Sequence, residues 1–232
     1  KHSKKLGLTD ISAYQFFGDL ELSKTLFKKN IVIKEKQVFS EEEIEIISKY
    51  LNCIVCLQNL GILLAFQTGL RVGELCTLKF DDIIGQQIHV QRTETKYRNP
   101  ETGKQNRYVK EFPKSEAGDR YVFLTPKALL TIKRIKELNP NGKYMFEKRG
   151  KRIYEGSFDY YIRKACCECN IEAKSMHKIR KTYGTTLLDG DVDESIIMEQ
   201  MGHSDIKCTK QYYYFSNKSN NKKEQQLRKA LG

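Results

Sequence analysis

Between Gln86 and Leu124 the sequence stops repeating every three to four residues and begins to alternate. "QQIHVQRTE", "RYVKEF" and "DRYVFL" each place apolar or β-branched residues at every second position, the period of a strand with two unlike faces. The stretches between them, "RNPETGKQN" and "KSEAGD", are rich in turn residues. Helical spacing precedes and follows this block. The pattern therefore predicts an α+β domain, mostly helical, with one small antiparallel sheet of three strands.

The flanking helices carry their own signals. In "FSEEEIEIISKYL", Ser40 followed three residues later by Glu43 is a capping box. Helical spacing then continues through "YLNCIVCLQNLGILLAF" to Phe66, and Gly69 suits a left-handed helix end. "RVGELCTLKFDDI" reads as another short helix. Pro126 fits a first helical position ahead of "KALLTIKRIKEL". "GSFDYYIRKACCECNI", "SMHKIRKTYGTTLLDG", "DESIIMEQMG" and "SDIKCTKQYYYF" follow as helices, with Asp193 and Ser204 as N-caps of the last two. Residues 1–35 show little periodicity and read as the end of another domain plus a linker. The domain proper is expected over 36–216, and 217–232 form a polar tail with a weakly helical "QQLRKAL". The chain opens on Lys1, not methionine, so a preceding segment is expected.

Composition narrows the partner. Lysine and arginine exceed acidic residues by 41 to 29, a net charge of +12 that favours a polyanion, most simply nucleic acid. No apolar run approaches a membrane span, and no export signal leads the chain. Seven cysteines, an odd number, then suggest reduced thiols and a cytoplasmic setting. Cys53 and Cys56 form a CxxC in an apolar stretch and read as helix packing. "CCEC" at 166–169 lacks the paired spacing of a zinc site, so no metal is expected.

Four clusters hold residues suited to chemistry: Arg71 and Glu74 in "TGLRVGEL", Lys114 in a turn between strands, His177 and Arg180 in "HKIR", and His203 ahead of three consecutive tyrosines. Each taken alone has a plain structural explanation, such as an Arg71–Glu74 pair or tyrosines packed in a core. Together they match the needs of phosphoryl transfer. Two forked guanidinium groups suit the oxygens of a phosphodiester. A tyrosine hydroxyl, with a pKa of about 10, needs nearby cations or a histidine to become a nucleophile. A lysine can protonate the departing oxygen.

In order along the chain, "TGLRVGEL", "PKSEAGDRYVFL", "HKIRKT", "MGHSD" and the tyrosines resemble the boxes of the tyrosine recombinases, the phage-type integrases, over residues 38–216. The resemblance implies a catalytic domain of the DNA breaking–rejoining type, preceded by a core-binding domain that helps clamp duplex DNA. It implies Arg71, Lys114, His177, Arg180, His203 and a tyrosine as catalytic residues, with Glu74 supporting them. The family's usual spacing puts the nucleophile nine residues beyond the box histidine, which selects Tyr212. A shift of one would select Tyr213. Lys181 stands where the family often has a second histidine. The implied reaction is site-specific recombination through a 3′-phosphotyrosyl link, without cofactor. Double-stranded DNA, a homotetramer assembled on it and accessory directionality proteins are the implied partners. The tail is expected either to dock on a neighbouring protomer, as the resemblance implies, or to be a disordered basic tail. A type IB topoisomerase, a DNA-binding protein without catalysis and a metal-dependent nuclease are the rival readings.

Overall fold

The computed structural model describes residues 37–112 and 116–205, with Glu224 and Arg228 in the tail. Helices α1 (Glu41–Cys53), α2 (Leu57–Thr68) and the short α3 (Val72–Leu75) come first. A 3-10 turn at Phe80–Asp82 leads into β1 (Ile83–Ile84), β2 (Gln87–Val90), β3 (Thr93–Arg98) and β4 (Gln105–Lys110). After a second 3-10 turn at Glu116–Gly118 come β5 (Arg120–Phe123), α4 (Pro126–Leu138), β6 (Glu147–Lys148) and β7 (Lys151–Arg152). Helices α5 (Glu155–Glu168), α6 (Met176–Asp189) and α7 (Glu194–Met201) complete the described elements.

Helix α2 is the axle of the unit. It packs against α1, α4, α5 and α6, and Leu60, Ile62 and Leu64 on different sides are all fully buried. A helix apolar all round belongs in a core, and the sequence around 57–66 has that character. Gly61 admits the rings of Phe146 and Phe158, because a Cβ there would lie 2.4 Å from Phe158 and 2.9 Å from Phe146. The two rings meet edge to face, 5.3 Å between centroids, a favoured aromatic geometry.

The entry to α1 forms the expected capping box. The Glu43 amide donates to Ser40 Oγ at 3.2 Å, and the Ser40 amide donates to Glu43 Oε2 at 2.9 Å. Glu43 also receives Lys174 Nζ at 2.6 Å, which ties α1 to the start of α6. Ser40→Ala is expected to cost about 1 kcal/mol, the usual worth of such a cap, as a drop in the urea unfolding midpoint.

Two expectations are corrected. The apolar stretch 50–66 is not one helix: it breaks at Ile54–Cys56, where the β-branched Ile54 and Val55 are both exposed and Asn59 Nδ2 donates to the Ile54 carbonyl at 2.7 Å. Cys53 is consequently exposed and Cys56 half-buried, so neither thiol packs on a buried helical face. The second correction concerns strand pairing. The three-stranded antiparallel sheet has the order β1–β2–β5, with Val90 opposite Arg120 and His89 opposite Tyr121. The "RYVKEF" segment pairs instead with β3 in a separate hairpin, Thr93 opposite Lys110 through Arg98 opposite Gln105. Alternation finds strands but does not choose between partners of equal period.

Candidate active site

Arg71 sits where α2 hands over to α3. Gly69 ends α2 in the left-handed region at φ +63°, and its amide closes on Ala65 O at 2.9 Å. A Cβ at this position would also strike the Tyr183 ring at 2.2 Å, so both backbone and space require glycine. Two residues later Arg71 N-caps α3. Its amide donates to Glu74 Oε2 at 2.9 Å, and its Nη1 donates to Glu74 Oε1 at 2.8 Å. The Arg71 side chain stays 43% exposed, whereas that of Glu74 is 6% exposed.

Glu74 serves a second arginine. Arg120, at the start of β5, donates Nη2 to Glu74 Oε2 at 2.8 Å and Nη1 to Oε1 at 3.1 Å. Burial alone would raise the Glu74 pKa, but the hydrogen bonds and charge of Arg120, with Arg71 and Arg180 behind them, hold it at about 2. The carboxylate is therefore a fixed anion that gathers cations around itself.

Three consecutive carbonyls at the end of α7 take three different arginines. Gln200 O accepts Arg120 Nε at 2.9 Å, Met201 O accepts Arg180 Nη2, and Gly202 O accepts Arg71 Nη2 at 2.9 Å. A helix C-terminus leaves such carbonyls unpaired and carries the negative end of the helix dipole. Gly202 turns the chain there at φ +61°, and the amide of His203 closes on Met198 O at 3.1 Å. Arg180, only 5% exposed, uses Nη1 to hold Gly69 O at 2.7 Å. The arginines of α3 and α6 thus join the two glycine turns.

The histidines complete the constellation. Half-buried His203 has its pKa pushed down to about 4 by desolvation and by Arg180, Arg71 and Arg120. His177, on the exposed side of α6, is also lowered: part of the ring lies against protein, and Lys181, Lys178, Arg180 and Arg71 oppose a further positive charge. Lys181 Nζ donates to Gln37 Oε1 at 3.1 Å, and its charge is among those that lower the His177 pKa. Both shifts favour the neutral imidazole.

Protonation of these rings opposes folding. His203 falls from 6.5 in the unfolded chain to about 4 in the fold. The unfolded state then binds more protons between those values, and stability drops as pH falls through that window. Melting temperature is expected to decline from pH 6.5 to 4.5, and His203→Gln should flatten that decline in thermal scans.

Beside Arg71 opens a cleft of about 660 Å³, lined by Glu74, Thr93, Thr95, Lys110 and Ser204 among others. Among the described residues no group of histidines, cysteines and carboxylates could hold a metal ion, and no helix is long and apolar enough to cross a membrane. Arg71, Glu74, Arg180 and His203 are brought together at the end of α7 by the bonds and charge effects above, and His177 is tied to them only through the charges of Arg180 and Arg71. Lys114 and Tyr212, with Tyr213 and Tyr214, lie outside the described residues. Arg120 was missed by the sequence reading. Its signal was an arginine on the inward face of β5, in register with buried Val122.

Residues 37–220 match the phage integrase family. The chain belongs to that family. A tyrosine recombinase of Thermosipho africanus is 24% identical over 223 residues, covering 88% of this chain and 71% of the relative. One of Agathobacter rectalis is 30% identical over 152 residues, 64% of this chain but under half (44%) of the relative. The Tn1549 transposon integrase, solved with transposon right-end DNA, superposes with a TM-score of 0.70 at 19% identity, over 92% of this chain and 71% of that one. This member of the integrase family is thus a tyrosine recombinase, an enzyme class of site-specific recombination, with the expected mostly helical α+β catalytic fold.

Proposed function

We propose that this chain cuts and rejoins duplex DNA at specific sites through a covalent phosphotyrosine. The observation that carries the reading is the convergence of Arg71 and Arg180 on the end of α7, next to His203 and beside an open cleft. The phosphodiester takes its place against Arg71, the exposed guanidinium, with Arg180 completing the clamp on the non-bridging oxygens. Each donor so placed contributes about 3–4 kcal/mol to the transition state. Glu74, kept anionic, orients Arg71 and does not touch DNA.

Tyr212 is the nucleophile. It follows Asp205 by seven residues, a tether that reaches no further than about 25 Å. Its oxygen bonds to phosphorus while the bond to the 5′ oxygen breaks. Neutral His177 accepts the phenol proton, His203 donates a hydrogen bond to the phosphate, and Lys114 protonates the leaving 5′ oxygen. The 5′-hydroxyl of a partner strand then attacks the phosphotyrosine and releases Tyr212. The diester energy is retained in the intermediate, so ATP is not consumed.

In the whole protein, residues 1–35 lead from a core-binding domain. The active form is a homotetramer on DNA, the tail docks on a neighbouring protomer, and accessory proteins set direction. The setting is cytoplasmic. The test is covalent capture. Protein is incubated in EDTA with nicked duplexes built from fragments of the source genome, then denatured in SDS, and the attached DNA is sequenced. One recurrent junction attached at its 3′ end supports the proposal. Failure to trap DNA, or attachment only when a divalent metal is supplied, would sink it.

A further inference from the structure

Arg120 is 5% exposed, and its bonds are concentrated on one place. Two η nitrogens grip both oxygens of Glu74, and Nε grips the Gln200 carbonyl. A fourth bond, from Nη1 to Gly118 O at 3.3 Å, fastens the guanidinium to its own strand entry. Arg71 has two side-chain anchors in turn: Glu74 Oε1 and Gly202 O. Arg120 therefore bonds one of those anchors and the carbonyl two residues before the other.

We propose that Arg120 is a positioning residue for the recombination site, setting where Arg71 points by locking Glu74 to the carbonyl turn at 200–202. The inference rests on the recombinase reading above and adds a residue that never meets the phosphate. Packing explains less of what is seen. A buried ion pair can be replaced by apolar side chains of similar volume with little loss of stability, but such a pair could not aim a guanidinium. Glu74 accepts one backbone and three side-chain N–H groups. Without Arg120 it would keep only the contacts made by Arg71, three residues away on the same short helix, and could turn with it. The close fit at Gly202 points the same way: a Cβ there would lie 2.5 Å from Ala117 O and 2.9 Å from Arg120 Cδ. The turn before His203 is thus pressed against the Arg120 side chain itself.

The test uses the full chain and the nicked duplex recovered by covalent capture. Arg120→Lys keeps the charge and loses the fork. Single-turnover adduct formation should slow on the order of 30- to 100-fold, as expected for a misaimed transition-state donor. The duplex Kd should stay within about threefold, because phosphate contact is not what is lost. In an Arg71→Ala background the same change should cost less than about twofold, the sign of two residues acting through one path. A wild-type adduct rate in R120K, a loss confined to Kd, or losses that multiply with Arg71→Ala would each overturn the proposal. Should R120K not fold, Glu74→Gln carries the same cycle, since it weakens the Arg120 fork and the single Arg71 Nη1 bond at constant shape. If the wild-type protein traps no DNA, the recombinase reading fails, and nitrogen-15 NMR of the DNA-free protein decides Arg120 on its own. Arg71 η protons should then exchange with water at least about threefold faster in the variant, and unchanged exchange would count against the role.

Discussion

Tyr212→Phe is expected to abolish the SDS-stable protein–DNA adduct, by a factor on the order of 10⁵ or more, while duplex binding stays near the wild-type level. The substitution removes one oxygen and keeps the ring, so packing or stacking by that residue persists. The arginines around the end of α7 cannot take over the bond to phosphorus, because guanidinium groups are hydrogen-bond donors and not nucleophiles. Tyr213→Phe serves as the comparison. Were the tyrosine run helical, neighbouring side chains would point about 100° apart and one phenol at a time would face the phosphate; Tyr213→Phe is expected to keep most of the activity. If the two results are exchanged, the nine-residue spacing is wrong by one while the chemistry stands. Adduct yield on a nicked duplex, with binding measured separately, reads both.

Arg180→Ala should have the second largest effect, and it should damage stability as well as cleavage. Arg180 is buried and holds Gly69 O and Met201 O together. Its loss leaves those carbonyls without these partners, at about 1–3 kcal/mol each. It also removes a transition-state donor worth about 3–4 kcal/mol, a factor on the order of 10³ in cleavage. Arg71→Ala provides the contrast. That side chain is open to solvent and bonds Gly202 O from the surface, so cleavage should fall by a similar factor with a smaller change in unfolding free energy. Urea titrations and single-turnover adduct rates separate the two. An Arg180→Ala protein that cleaves within tenfold of wild type would remove Arg180 from the chemistry.

The legibility of this protein in its sequence followed the range of the interactions. Ser40 with Glu43, Gly69 and Pro126 are local devices, and each forms as expected; ahead of Pro126 the structure adds a cap, Thr125 Oγ1 accepting the Ala128 amide at 3.3 Å. The break at Ile54–Cys56 was hidden because its apolar residues continue the helical pattern while facing solvent. The pairing of β4 with β3, and not with β5, was hidden because both partners alternate alike. At the site, the boxes gave the residue types but not their mutual bonds. Arg71, Arg120 and Arg180 lie far apart in the chain, and what unites them is a run of backbone carbonyls, which carry no side-chain signature. Glu74 was read as a helper. The structure makes it the shared anion of two arginines, one of them unnoticed because a buried arginine in a strand looks like any other basic residue in a basic protein.

On this mechanism a tyrosine that follows the arginine-clamped end of α7 in sequence becomes bonded to DNA. Digesting the trapped complex with trypsin and nuclease, then weighing the linked peptide, reads that bond itself. The expected product is the peptide of residues 211–218 bearing a nucleotide through its 3′ phosphate on Tyr212. Attachment through a residue outside the three tyrosines, or through a 5′ phosphate, would contradict it.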